Sequence, residues 1–279
     1  MQEKNIITII IILLGVSSIL ISNKTDDIKN KYDASQFAND SVILESSDKI
    51  VIEKDGVLTC TGMTYDSVHD VFYIGNYGKE TSEDTIQNAS IIVCDKNFNI
   101  INEIMLPDNI ENIQGVTYSE KTDSIYYTDT FKIYQIDLEG KQLKVIDLKQ
   151  YEKYNPNSLL YDDRDDTLWV LCAYEYLLHI DVDGMIIDRI ECSYKDQDQI
   201  CFDDDRNILF TVGADYNGNK NYVGLIDIEK REIKILYNVL DSYAVEGIYM
   251  NDGKMLIVND GIFHDATIKN NYVSEYVID

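Results

Sequence analysis

The chain repeats itself. Met63-Thr64-Tyr65, Val116-Thr117-Tyr118, Leu159-Leu160-Tyr161 and Ile200-Cys201-Phe202 each read apolar-x-aromatic, the alternation of a half-buried strand. Five residues beyond each aromatic stands Asp70, Asp123, Asp166 or Asn207. A second apolar run follows each time, as in Val71-Phe72-Tyr73-Ile74 and Leu168-Trp169-Val170-Leu171. The Asp/Asn/Ser-rich stretch between the two runs is hairpin chemistry, because these side chains hydrogen-bond their own backbone in turns. A fifth copy, Ile248-Tyr249-Met250 then Met255-Leu256-Ile257-Val258, has a shorter turn.

A third strand ends in Cys94-Asp95, Ile136-Asp137, Ile180-Asp181 or Ile226-Asp227, and a fourth closes each unit, as in Val145-Ile146-Asp147-Leu148. Units begin at Met63, Val116, Leu159, Ile200 and Ile248, so the period runs from 41 to 53 residues. Four strands at that period predict propeller blades. The expected fold is therefore an all-β, five-bladed β-propeller, with a six-bladed ring as the alternative.

The last unit lacks a fourth strand, and the chain offers one at its other end, Lys49-Ile50-Val51-Ile52-Glu53. Ile52 precedes Met63 by 11 residues, and the equivalent internal spacings are 10 to 12. The N-terminal strand is thus expected to complete the last blade and close the ring, which removes an unpaired sheet edge.

Ahead of that strand, Asn5 to Ser22 is an uncharged, Ile/Leu-rich run of 18 residues preceded by Lys4. It reads as a hydrophobic helix serving as signal or anchor over residues 1–22, then a polar tether over 23–40 and the propeller over 41–279. No small-x-small cleavage site ends the run. The expectation is a cell-membrane protein with one N-terminal anchor and an extracytoplasmic domain; secretion after cleavage is the alternative.

The net charge of −26 falls entirely outside residues 1–22. Such a surface repels phosphate backbones and anionic headgroups. It argues against nucleic-acid binding and leaves the N-terminal segment as the sole membrane contact. The five cysteines form no CxxC pair and histidines number three, which argues against a zinc cluster.

In a propeller, the loops leading into each first strand and those between second and third strands share one face around the channel. The positions just before the first strands are Thr61, Gln114, Asn157, Asp198 and Glu246. Glu246, Asp198, Asn157 and Gln114 offer carboxylate and amide oxygens suited to a hard divalent cation such as Ca²⁺. Without a cation, two carboxylates held together raise one pKa. Solvated strand caps are the plainer reading of the same residues. The second-to-third loops contribute Tyr77, Asp129, Tyr174, Glu175, Asp215, Tyr216, Asp260, Phe263 and His264 as candidate ligand-binding residues. Aromatic rings there could stack on a sugar or anchor a protein partner. No nucleophile motif is visible.

Gln114-Gly115-Val116-Thr117-Tyr118, Ile125-Tyr126-Tyr127-Thr128-Asp129 and Ile136-Asp137-Leu138-Glu139-Gly140 resemble the SdiA-regulated, NHL and SMP-30/gluconolactonase propellers, as does Glu246-Gly247-Ile248. The resemblance spans residues 50–279. It implies a divalent metal at the channel mouth held by Asn157, Asp198 and Glu246, although Ser158 and Gln199 replace the glycines that follow the Asn and Asp in the SMP-30 pattern. Two functions follow as expectations. One is a tethered binding or sensing module taking a small ligand, glycan or protein on the loop face, with Ca²⁺ in the mouth. The alternative is a metal-dependent lactonase or esterase-type hydrolase, with Asp198 or Glu246 acting on a water.

Overall fold

The computed structural model describes residues 42–53, 59–77, 89–107, 110, 113–129, 131–154, 156–172, 176–191, 197–203, 208–215, 220–240, 242, 244–251, 253–260 and 271–278. Two short strands, β1 (Val42–Leu44) and β2 (Asp48–Val51), precede the repeats. Blade 1 is β3 (Cys60–Asp66), β4 (Val71–Asn76), β5 (Ser90–Cys94) and β6 (Ile100–Met105). Blade 2 is β7 (Gly115–Ser119), β8 (Ser124–Thr128), β9 (Lys132–Ile136) and β10 (Gln142–Asp147). Blade 3 is β11 (Pro156–Asp162), β12 (Thr167–Cys172), β13 (Leu177–Asp181) and β14 (Ile186–Ile190). Blade 4 holds β15 (Gln197–Asp203), β16 (Ile208–Asp215), β17 (Lys220–Asp227) and β18 (Glu232–Val239). Blade 5 holds β19 (Val245–Asn251), β20 (Lys254–Asn259) and β21 (Tyr272–Val277).

The ring is five-bladed and closed as expected. β2 pairs antiparallel with β21, Ile50 opposite Val273, and Ile52 N donates to Asn271 O at 2.9 Å. One pairing differs from the expectation of uniformly four-stranded blades. β1 lies parallel to β18, Val42 opposite Tyr237 and Leu44 opposite Val239, so blade 4 has five strands. The segment before the clasp thus crosses from the rim of blade 4 to the rim of blade 5. The expected hydrophobic helix and tether, residues 1–40, lie outside the described residues. No helix among those described is long and apolar enough to cross a membrane.

The repeat spacing has a structural cause. Tyr118 Oη donates to Asp123 Oδ1 at 2.8 Å and Tyr161 Oη to Asp166 Oδ1 at 3.0 Å; Tyr65 makes the same bond to Asp70. These three Asp residues sit at φ between 45° and 65°, where a short polar side chain is tolerated better than most. The Asp that ends each third strand caps the next turn. Asp137 Oδ1 accepts from the backbone of Glu139 and Lys141, Asp181 Oδ1 from Asp183 and Met185, and Asp95 Oδ1 from Asn97 and Asn99. Part of the acidic excess is therefore turn chemistry.

The core lies in the five seams between blades. Ile91 and Ile104 of blade 1 meet Val116 and Tyr127 of blade 2. Trp169 and Leu177 of blade 3 meet Ile200 and Leu209 of blade 4. In the closing seam, Val258 and Val273 of blade 5 meet Met63, Phe72 and Ile74 of blade 1, with Ile52 of the clasp among them. The five first strands stand side by side around the axis: β3 between β7 and β19, β11 between β7 and β15, and β15 beside β19. Gly115 and Gly247 permit this approach. A Cβ at Gly115 would stand 2.8 Å from Ser158 Cα, and one at Gly247 would stand 2.8 Å from Met63 N.

Candidate functional site

The first strands of four blades are irregular at the same place. The β11–β12 register shifts between Pro156 and Ser158, β15–β16 between Gln197 and Gln199, and β19–β20 between Val245 and Gly247. The extra residues are Asn157, Asp198 and Glu246. In blade 1 the shift falls between Cys60 and Met63 and takes in Thr61 and Gly62. A bulge leaves one residue out of the ladder and re-aims its side chain. Three of the four residues chosen from sequence as cation ligands are thus the bulged residues of three consecutive blades. The fourth, Gln114, lies just before β7, where its N–H donates to Thr128 O at 2.8 Å.

Glu246 is half-buried as a residue, but its carboxyl lies deep. Burial, then the charges of Asp198 and Asp260, push that carboxyl well above the usual carboxylate range. Asp260 is 1% exposed and its N–H donates to Ala244 O at 2.9 Å, which ties the end of β20 to the start of β19. Burial, Asp260, Cys94 and Glu246 together push the Cys60 thiol up, so blade 1 faces the same group. Asn157 reaches towards blade 4, where its Nδ2 donates to Gln197 O at 2.7 Å. Its Oδ1 is buried and accepts no hydrogen bond from a protein donor.

Not every residue chosen from sequence joins this group. Asp129 is spent on its own hairpin: Oδ1 accepts from the backbone of Phe131 and Lys132 at 3.0 and 2.8 Å, and Oδ2 from Tyr134 Oη at 2.8 Å. Tyr77 is half-buried and its N–H donates to Thr59 O at 2.9 Å, beside the start of β3. Asp215 ends β16, in register with Lys220. Tyr174, Glu175, Tyr216, Phe263 and His264 lie outside the described residues. Among the described residues, no three His, Cys, Asp or Glu side chains gather closely enough to enclose a metal by themselves.

No family model and no curated protein matches the chain. Solved structures do. U3-55K is similar over 84% of this chain and 100% of its own, with a TM-score of 0.52 and 7% identity. The shared feature is the propeller fold. A protein of unknown function from Bacteroides caccae covers 76% of this chain and 74% of its own at TM-score 0.49 and 10% identity. The RRP9 WD40 repeats cover 79% and 63% at TM-score 0.45 and 13% identity. At such identities the likeness reaches the architecture and stops there.

Sequence reasoning passed over a second set of residues on the axis. The middle residues of the four apolar-x-aromatic triplets, Thr64, Thr117, Leu160 and Cys201, and of the fifth copy, Tyr249, all line one cavity of about 170 Å³ along the channel. Thr64 Oγ1 accepts from Tyr118 N at 3.3 Å and Thr117 Oγ1 from Tyr161 N at 3.2 Å, each bond running to the first strand of the next blade. The signal was the "x" of the triplet, which reads as filler until the strands are arranged in a ring.

Proposed function

We propose that the protein is a non-catalytic binding module, displayed outside the membrane by residues 1–22, that takes its ligand at the mouth of the channel with a divalent cation as part of the site. The observation that carries this reading is the Glu246 carboxyl held away from water against the charges of Asp198 and Asp260. Such a grouping requires a proton or a cation to be comfortable. The donors fit a hard cation: the carboxylates of Glu246 and Asp198, plus the Asn157 Oδ1 that lacks a protein donor. When bound, Ca²⁺ would neutralise the mouth and offer coordination positions to a hydroxyl- or carboxylate-bearing ligand. The likeness of Asn157, Asp198 and Glu246 to the SMP-30 ligands supports the same residues. Glycan, small molecule and protein are the ligand classes that suit the mouth and its flanking loops.

The test is thermal unfolding of the full chain in chelator and in millimolar Ca²⁺, for the wild type and Glu246→Gln. Calcium is expected to stabilise the wild type by about 2.7 kcal/mol at a concentration near one hundred times its Kd. Glu246→Gln should lose most of that gain. No calcium-dependent shift in the wild type overturns the cation reading. Turnover in a lactone and ester screen would overturn the non-catalytic one.

A further inference from the structure

We infer that β1 is a coupling element: its docking on blade 4 and the occupancy of the channel mouth reinforce each other through the connection from β18 to β19. The inference rests on the reading of the mouth as a cation site. Leu240 is the joint. Its N–H donates to Leu44 O of β1 at 2.8 Å, and its C=O accepts from Tyr276 Oη of blade 5 at 2.6 Å. Tyr276 is fully buried, and with its own proton spent on Leu240 its Oη accepts from Ser242 Oγ at 2.7 Å. Ser242 O accepts from Asn221 Nδ2 at 2.7 Å, and Ala244 O from the Asp260 N–H at 2.9 Å. Ala244 leads directly into the bulge that carries Glu246. Hydrogen bonds thus follow the chain from β1 to the residues of the mouth.

Two features make this path a device and not a fixed scaffold. The first is that β1 is weakly held. It has three residues, and Val42 and Ile43 are 57% and 62% exposed, while Leu44 packs on the seam between blades 4 and 5. Elements with few buried apolar contacts open first. The second is strain at Ala244, which is 2% exposed and sits at φ 47°, a left-handed backbone that its Cβ opposes. Such a conformation persists only where its surroundings over-determine it. When β1 lifts, the Leu240 N–H loses its acceptor and one restraint on the connection is gone. Ala244 can then relax, and Glu246 is free to move away from the Asp198 charge that repels it. A cation that draws Glu246 and Asp198 together opposes that movement and keeps Leu240 against β1. Linkage makes the two effects equal in size.

Hydrogen exchange on the purified full chain reads the coupling, because the Leu240 N–H reports the docking of β1 and the Asp260 N–H reports the connection. Leu44→Pro takes a backbone N–H out of β1 and should undock it. In chelator it should speed exchange of the Asp260 amide about fivefold, the lower end of ordinary coupling, and leave Val170 at the centre of blade 3 unchanged. In calcium, the wild-type Leu240 amide should exchange about fivefold more slowly, and Leu44→Pro should bind calcium about fivefold more weakly. Leu44→Ser, which withdraws only the side chain from the seam, serves if Leu44→Pro does not fold. Three results overturn the inference: wild-type exchange at Asp260 in the Leu44 variants, equal acceleration at Asp260 and Val170, or equal calcium affinity in wild type and variants. A wild type that binds no calcium overturns the cation reading instead, and the exchange in chelator still decides whether β1 and the mouth are coupled.

Discussion

Ile52 should be the most sensitive position of the N-terminal clasp, and Val51 beside it should be nearly inert. Ile52 is 4% exposed and sits in the closing seam with Met63, Phe72, Ile74, Val258 and Val273; Val51 is 43% exposed on the other side of the strand. Ile52→Ala removes three buried carbons, worth about 0.8 kcal/mol each, or about 2.4 kcal/mol in transfer alone. The cavity left between blades 5 and 1 adds to this, and substitutions of this kind cost about 2–5 kcal/mol. Against a total stability of roughly 5–15 kcal/mol, that is a large share. Equilibrium urea unfolding of the full chain reads it directly. At a slope of about 3 kcal/mol per M the midpoint should fall by roughly 1 M. Val51→Ala should stay within about 0.5 kcal/mol of the wild type. Equal losses at the two positions, or a loss at Ile52 below about 0.5 kcal/mol, would mean that the clasp does not seal the ring in the way described.

Two further outcomes follow from the inner ring. Gly247→Ala should destabilise by about 1–3 kcal/mol in thermal unfolding, because its Cβ meets the backbone of Met63 and Gly62 at 2.8 and 3.0 Å and backbone cannot step aside. In chelator, the Glu246 carboxyl has a folded pKa above its unfolded value of about 4.3. Its contribution is therefore fully present below about pH 4 and is lost as pH rises through the folded value. Glu246→Gln does not titrate there, so its stability advantage over the wild type should grow from pH 4 to pH 8; parallel profiles would show that the carboxyl is not held as described.

The blade pattern was legible because its cause is local. A strand needs alternation, a hairpin needs Asp or Asn at the turn, and both are written in consecutive residues such as Ile136-Asp137 and the Tyr118/Asp123 pair. The clasp was legible from spacing, since Ile52 lies as far from Met63 as Leu148 does from Leu159. β1 was not. Val42-Ile43-Leu44 belongs to no repeat, and nothing in three apolar residues says that they will lie parallel to the rim of blade 4. The candidate site was read in part. Asn157, Asp198 and Glu246 were found by their place before the first strands, but Asp260 was grouped with the loop residues. The sequence could not show that it turns inward towards Glu246.

The four-stranded blade and its repeat were decided by the sequence itself, because they rest on hydrophobic period and turn chemistry within a few tens of residues, whereas the closing pair of β2 and β21 joins residues more than 200 positions apart and could be read only from matching spacings. Only the assembled ring decided which polar groups meet. Asp198 and Glu246 are 48 residues apart, and Gln199 reaches Gly62 and Val116 across the axis. Their pairing depends on the radius and twist of five packed sheets, and the bulges aim the mouth residues only once that packing exists. A raised carboxyl and an amide oxygen without a donor are properties of convergence, and convergence belongs to the tertiary fold.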